Sequence, residues 1–224
     1  MVLLYKYDSE SNSNNQKKFD ELKQLVTNDL KKVDFLIKQK INNKVSYIPK
    51  VAGYLVKAGG KRIRPILCLA CAKLCNYKGQ KHINLSACIE FIHTATLLHD
   101  DVIDESKKRR GLRTANNIWG NKSSVLVGDF LLSKSFELMT EVENIEVLKI
   151  LSKTSSIIIE GEISQMLSNR NMATTEDEYL EIIKSKTAHL FSTASKINSY
   201  LICLLYTSTS PRDRGCCRMP SSAC

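Results

Sequence analysis

The sequence has few residues that break regular structure, with only 4 prolines and 9 glycines among 224 residues. It contains no run of 18 or more apolar residues, although 43% of the residues are hydrophobic. It also has no convincing alternating strand, no repeat and no internal linker. The shortage of turn residues favours long helices over a turn-rich β fold, and the lack of a long apolar run excludes a transmembrane helix. We therefore predict one all-α domain with a sizeable core.

The N-terminal region lacks the basic-then-apolar order of a signal peptide. A short apolar opening precedes a tract rich in serine and asparagine, so we expect a flexible leader over residues 1–18. The cysteines show no disulfide framework, which is typical of a reducing compartment. These features predict a cytoplasmic protein.

The net charge of +10 could indicate a nucleic-acid-binding protein. However, aromatic and basic residues are not interleaved, and no groove-reading motif is found. We therefore expect no nucleic-acid partner. The basic residues instead flank an acidic cluster.

The acidic cluster consists of Asp100, Asp101 and Asp104 at the end of an apolar stretch. On a helix, Asp100 and Asp104 share a face and Asp101 lies about 100° away, so three charges converge on a small volume. They repel one another unless a cation lies between them, and Mg²⁺, which bridges carboxylates to substrate phosphates, fits best. The alternative is a solvated acidic helix end, but the helix dipole disfavours carboxylates there.

Basic motifs lie on both sides of the acidic cluster. Upstream, GGKRIRP places Lys61 and Arg64 at a loop-to-helix junction, where glycines relax the backbone and N–H groups favour anions. Downstream lies KKRRGLR. Basic runs are usually solvated faces. Beside three carboxylates, however, they indicate side chains that bind a phosphorylated substrate.

Six motifs resemble, in order, those of the trans-isoprenyl diphosphate synthases: GGKRIRP, EFIHTATLLHDDVIDE, RRG, GNKSSVLVGDF, EGEISQ and KTAHLF. The resemblance covers most of the chain. The stretch RRGLRTANNIWGNKSSVLVGDFLL resembles the branch that makes long chains for respiratory quinones. The resemblance implies an isoprenoid synthase-type helical bundle around a central cavity, with residues 19–202 forming the N-terminal two-thirds of that domain.

The resemblance also implies a Mg²⁺-dependent prenyltransferase that condenses isopentenyl diphosphate with an allylic diphosphate. The aspartates match its first metal-binding motif, which grips the allylic diphosphate, and we count them with Lys186 as catalytic residues. Positions that bind isopentenyl diphosphate match Lys61, Arg64, His93 and Arg110. Positions that hold the allylic diphosphate match Arg109, Lys186 and Thr187, and Gln165 matches a glutamine on the facing helix. A lone helical histidine such as His93 is otherwise more often a core residue.

Product length is expected to depend on Ala95 and Thr96, one turn before the aspartates. Short-chain members of the family tend to have bulky aromatics there, so small residues imply an open tunnel and a long all-trans polyprenyl product. The alternatives are a short-chain farnesyl or geranylgeranyl diphosphate synthase and a non-catalytic subunit of a heteromeric synthase. Such a subunit is expected to lose its metal-binding aspartates. A class I terpene cyclase needs no isopentenyl diphosphate site, so GGKRIRP argues against it.

The C-terminal segment reads CLLYTSTSPRDRGCCRMPSSAC from Cys203 onward, and helical periodicity stops there. It resembles the conceptual translation of a sequencing adapter, and the alternative is a genuine divergent tail. The resembled family has a second DDxxD motif beyond this point. We therefore expect residues 203–224 to be non-native, the domain to be C-terminally truncated and the 224-residue chain to be inactive. A full-length version is expected to form a homodimer.

Overall fold

The computed structural model describes residues 9–57, 60–168 and 173–207, and these are predominantly helical. The helices are α1 (Ser9–Leu25), α2 (Thr27–Ile41), α3 (Tyr47–Lys57), α4 (Ile63–Leu74), α5 (Lys81–Ile103), α6 (Ala115–Trp119), α7 (Asn121–Glu141), α8 (Ile145–Ser168), α9 (Glu176–Ile183) and α10 (His189–Thr207). A π-helical turn, Lys184–Ala188, joins α9 to α10. Two short strands, β1 (Lys108–Arg109) and β2 (Leu112–Arg113), pair antiparallel. The predicted all-α class is confirmed.

Helix α5 lies at the centre of the fold. It packs most extensively on α7 and also contacts α2, α4 and α10. Apolar side chains on several of its faces, including Leu85, Phe91 and Leu98, are almost completely buried. A helix that is apolar on all sides is expected in the middle of a bundle. Its C-terminal end therefore carries Asp100 and Asp101 into the interior, where both are buried.

The last turns of α5 are joined to α7 through His99. The His99 ring lies so close to Gly128 that a Cβ on residue 128 would come within 2.3 Å of Nε2. The same nitrogen lies 3.3 Å from Asp129 Oδ1 and 3.3 Å from the Val125 carbonyl oxygen. No role for His99 follows from the sequence alone, whereas the structure places it in the helix contact beside the aspartates.

Both predicted domain boundaries meet helical structure. Helix α1 begins at Ser9, inside the predicted leader, and the Gln16 amide donates to Asp20 at 3.1 Å, a spacing that supports a helix. Helix α10 continues past Cys203 to Thr207, since no proline or glycine interrupts it there. The predicted end of helical structure at Cys203 is therefore wrong, and residues 1–8 and 208–224 lie outside the described part. Within that part, no helix is long and apolar enough to cross a membrane.

Candidate active site

The described part of the GGKRIRP motif leads into α4, and Pro65 lies in the first turn of that helix. Glycine at position 60 leaves room for the Arg110 side chain, because a Cβ on residue 60 would lie 2.8 Å from Nη1 of Arg110. Gly59 lies outside the described residues. The left-handed backbone in the described part of this loop belongs to Arg62, with φ 51° and ψ 33°. This conformation is unfavourable for a residue with a Cβ, so surrounding contacts must hold it.

The KKRRGLR motif forms a β-hairpin, which was not predicted because two-residue strands are too short for a periodic pattern. Arg109 pairs with Leu112, and the turn residues Arg110 and Gly111 have φ values of 53° and 81°. Two positive φ values match a two-residue turn to the twist of the strands, which explains the glycine. The hairpin brings Arg109 onto Asp101 and Arg110 beside the α3–α4 loop.

A cavity of about 500 Å³ lies between the α3–α4 loop, α5 and the hairpin. Six of the residues predicted to bind substrate or metal line it: Lys61, Arg64, His93, Asp101, Arg109 and Arg110. The four residues predicted for isopentenyl diphosphate therefore share one cavity. Its positive groups outnumber its two carboxylates, Glu90 and Asp101, so the cavity suits a small polyanion.

Arg64 is held between two rings inside this cavity. Its Nη1 donates to His93 Nε2 at 3.1 Å, and its Cζ lies 4.2 Å from the centroid of the Phe191 ring. Burial, followed by the charge of Arg64 and of three further arginines, lowers the pKa of His93 to about 3. The imidazole is therefore neutral, and Nε2 can accept the hydrogen bond.

Lys186 lies between two carboxylates near the end of α5. Its Nζ donates to Glu162 Oε2 at 2.6 Å and lies 3.6 Å from Asp100 Oδ2. Burial opposes the charge on Lys186, but Glu162 and Asp100 raise its pKa. Gly161 lets the π-helical turn approach α8, since a Cβ there would lie 2.9 Å from the Lys186 backbone nitrogen. The turn thus places Lys186 beside Asp100.

A second cavity, of about 460 Å³, lies beside this ion-pair cluster. Its lining includes Gln165, Lys186 and Thr187, so these predicted allylic-site residues lie together. Asp100 is connected to it through Lys186. The two cavities therefore lie at the same end of α5, one beside Asp101 and one beside the partner of Asp100.

The three aspartates do not converge as the sequence suggests. Asp101 is fully buried and accepts hydrogen bonds from Arg109, with Oδ1 3.0 Å from Nε and 2.9 Å from Nη2. Asp100 instead faces Lys186, and Asp104 is exposed at the C-cap of α5. Among the described residues, no three His, Cys, Asp or Glu side chains are arranged to hold a metal. Neighbouring side chains on a helix point about 100° apart, so different cations attract Asp100 and Asp101.

The donor set nevertheless fits a hard divalent cation. Asp101 Oδ2 is buried and has no hydrogen-bond partner. Burial and the charge of Glu162 raise the pKa of Asp100 to about 6; Asp104 adds to this rise, and Lys186 opposes it. An orphaned carboxylate oxygen and mutually repelling carboxylates are groups that a divalent cation stabilises.

The raised pKa of Asp100 predicts a pH-dependent stability. The pKa of Asp100 is about 6 in the folded state, against 3.8 for an unperturbed carboxyl group. Protonated Asp100 therefore contributes stability at low pH, and this contribution is lost as the pH rises through that interval. We expect Asp100→Asn to abolish this pH-dependent loss of stability and to raise the free energy of unfolding near neutral pH by about 1–3 kcal/mol. Urea unfolding below and above this interval measures it, with Asp20→Asn on α1 as control. Equal pH slopes in wild type and Asp100→Asn would contradict the prediction.

Four residues of the site were not assigned from the sequence: Arg62, Glu90, Glu162 and Phe191. A helical-spacing signal existed for two of them, because Glu90 lies three residues before His93, and Glu162 three before Gln165. No such signal existed for Phe191, because the π-helical turn changes the helical register before α10.

Comparisons with known proteins agree with the motifs. Residues 45–209 match the family model described as Polyprenyl synthetase. The chain is 42% identical over 182 residues to octaprenyl diphosphate synthase from Escherichia coli (strain K12), which covers 81% of this chain and 56% of that relative. The chain thus spans about half the length of the curated relatives it matches.

Solved structures show the same fold. A decaprenyl diphosphate synthase from Rhodobacter capsulatus matches with a TM-score of 0.80 and 50% identity, over 82% of this chain and 57% of that one. A polyprenyl synthase from Caulobacter crescentus CB15, complexed with calcium and isoprenyl diphosphate, matches with a TM-score of 0.79 and 44% identity, over 80% and 55%. Sequence, fold and motifs agree, and the chain belongs to the polyprenyl synthetase family.

Proposed function

We propose that the chain contributes the substrate sites of a prenyltransferase that condenses isopentenyl diphosphate with an allylic diphosphate. The product is a long-chain all-trans polyprenyl diphosphate, for use as a quinone side chain. The observation that carries the proposal is a pair of cationic sites at one end of α5, each ion-paired to a different aspartate. Long-chain relatives support the product class, since octaprenyl and decaprenyl synthases match over about four-fifths of the chain.

In this proposal the first cavity binds isopentenyl diphosphate. Lys61, Arg64 and Arg110 bind its diphosphate, because a guanidinium fork and an ammonium group suit phosphate oxygens. Neutral His93 holds Arg64 in place through its accepting nitrogen. Leu97, which lines the same cavity, supplies an apolar surface for the prenyl part.

The allylic diphosphate binds through Lys186, Thr187 and Gln165, which line the second cavity. Arg109, which lines the first cavity beside Asp101, completes this site. In the structure, Arg109 and Lys186 each neutralise one aspartate. The proposed cofactor is Mg²⁺, held by Asp100, Asp101 and Asp104, and when bound it stabilises negative charge on the departing diphosphate. Arg109 and Lys186 then exchange their aspartates for phosphate oxygens and stabilise the same charge.

The residues also control the reacting groups. Arg109 and Lys186 hold the diphosphate while the allylic C–O bond breaks, and the electron pair leaves with that group. Lys61 and Arg64 orient isopentenyl diphosphate so that its double bond can attack the allylic carbon. A proton then leaves the new chain, with the released diphosphate as its acceptor. Buried apolar residues exclude water, which would otherwise quench the allylic cation.

Ala95 and Thr96 are proposed to leave room for a long product. Ala95 is 2% exposed and shares a buried stripe of α5 with Phe91 and Leu98. The Thr96 hydroxyl donates to the His93 carbonyl at 2.8 Å. Neither residue lines either of the cavities described above, so their effect on product length stays a prediction.

The test is product analysis of two proteins. One is the 224-residue chain, which we expect to be inactive because the resemblance places a second aspartate motif outside it. The other is a chimera in which residues 1–201 continue into the part of E. coli octaprenyl diphosphate synthase that this chain does not cover. With labelled isopentenyl diphosphate and Mg²⁺, the chimera is expected to make long polyprenyl chains. No incorporation by a folded chimera would overturn the proposal.

Product lengths also separate the alternatives. A short-chain synthase would release farnesyl or geranylgeranyl diphosphate, whereas a non-catalytic subunit would need a second protein for any turnover. The expected homodimer and the cytoplasmic location stay predictions. Size-exclusion chromatography of the chimera tests the first of them.

Lys61→Ala is expected to weaken isopentenyl diphosphate binding by about 10-fold or more, because one charge-assisted contact is lost. Affinity for the allylic substrate is expected to change little, since Lys61 lines only the first cavity in the described part. Titration calorimetry on the 224-residue chain measures both, with Lys50→Ala on α3 as control. A loss confined to the allylic substrate would reverse the assignment of the two sites.

A further inference from the structure

Arg62 lies between Lys61 and Arg64, yet the proposed function gives it no ligand. Its side chain is only 16% exposed. The guanidinium contacts three helices: Nη1 donates to Glu90 of α5, Nε lies 3.6 Å from Asp34 Oδ1 of α2, and Nη2 lies 3.5 Å from the Val56 carbonyl oxygen of α3. Most of its donors are therefore engaged by the protein itself.

The backbone of Arg62 needs these contacts. Its left-handed conformation is common for glycine and unfavourable for arginine. Intrinsic preference therefore does not hold the turn, whereas an ion pair to a rigid helix can. This turn places Lys61 and Arg64, which lie on either side of Arg62 in the chain, in the lining of the same cavity.

Glu90 connects the turn to the rest of the site. It is 8% exposed and lies three residues before His93, so Glu90 and His93 share a face of α5. Arg62 is thus anchored one turn away from the point where His93 accepts the hydrogen bond from Arg64. Burial raises the pKa of Glu90, and the charges of Arg62 and Arg64 oppose that rise.

We propose that the Arg62–Glu90 ion pair, here called the clasp, is a positioning device that fixes Lys61 and Arg64 for a bound diphosphate. The inference rests on the proposed function, in which that diphosphate belongs to isopentenyl diphosphate. Arg62 also lines this cavity, but its donors face acceptors of the protein, so it acts through its neighbours and not as a ligand-binding group. The clasp explains why an arginine occupies a left-handed position that glycine would adopt more easily.

Calorimetric titration of the 224-residue chain with inorganic pyrophosphate and with isopentenyl diphosphate tests the clasp. Arg62→Lys keeps the positive charge but removes the planar guanidinium group, and Glu90→Gln keeps the side-chain shape but removes the negative charge. Each substitution is expected to weaken the binding of both ligands by about 10-fold. The double variant is expected to lose no more than the worse single variant, because one shared interaction is lost only once.

A second pair of variants separates positioning from stability. Arg62→Gly removes the clasp but permits the left-handed turn, whereas Arg62→Ala removes the clasp and disfavours that turn. We therefore expect the glycine variant to bind pyrophosphate more tightly than the alanine variant. Lys40→Gln breaks another ion pair between helices, Lys40–Glu141, and is expected to leave binding unchanged. Thermal unfolding of every variant shows that it is folded.

The outcomes separate the clasp from the proposed function. Three results would overturn the clasp. The first is wild-type affinity in Arg62→Lys and Glu90→Gln, and the second is a loss of affinity in the double variant equal to the product of the two single losses. The third is equal affinity of the glycine and alanine variants for pyrophosphate. If wild type binds pyrophosphate but not isopentenyl diphosphate, and clasp variants lose pyrophosphate, the clasp stands and the proposed substrate is wrong. If wild type binds neither ligand, both proposals are wrong.

Discussion

Turnover by the chimera is expected to fall at least about 10³-fold when Asp101 is replaced by asparagine, since several kcal/mol of charge stabilisation are lost. The amide keeps an oxygen that can accept from Arg109, as Oδ1 does at 3.0 Å in the structure. It lacks the charge, and its NH₂ group replaces Oδ2, the buried oxygen without a partner. The folded state should therefore survive while the proposed cation loses a ligand.

Labelled isopentenyl diphosphate measures the turnover, at several Mg²⁺ concentrations. Asp20→Asn, an exposed carboxylate of α1, is the matched control and is expected to keep wild-type turnover. Alanine at position 101 would be less informative, because it also leaves Arg109 without its acceptor. Turnover within a few-fold of wild type in Asp101→Asn would remove Asp101 from the metal site.

The position of α5 and the grouping of the basic residues could be predicted from the sequence. Apolar residues on all sides of a segment indicate a central helix. Arg109 and Arg110 closely follow the acidic end of that helix, whereas Lys61 and Arg64 lie far upstream and were grouped with them through the resemblance to the family. The structure accordingly brings Lys61, Arg64, His93 and Arg110 into one cavity.

The directions of the aspartate side chains could not be predicted. Helical spacing gives the angle between Asp100 and Asp101 but does not reveal which cation attracts each one. Those cations come from distant elements, Arg109 from a hairpin and Lys186 from a π-helical turn. Both elements are too short or too irregular to leave a periodic pattern. Local spacing is therefore insufficient where long-range ion pairs decide the geometry.

Replacing Ala95 with phenylalanine in the chimera is expected to shorten the product from many isoprene units to about three or four, because the ring fills space one turn before the aspartates. The first condensation should continue, since a short allylic starter does not extend to that depth. Chromatography of the dephosphorylated products measures the change. The same substitution is expected to lower the stability of the fold. Ala95 is 2% exposed between Phe91 and Leu98, and overpacking a core reduces stability by about 1–3 kcal/mol.

Ala72→Phe on α4 separates these two effects, because Ala72 is equally buried at 2% exposure but lies away from the aspartates. Both variants are expected to lose stability in thermal unfolding, and only Ala95→Phe should shorten the product. If Ala95→Phe folds and the product lengths stay unchanged, residue 95 belongs to the core alone. The space for a long prenyl chain would then lie on another face of α5, and the inference of a long product would rest on the relatives.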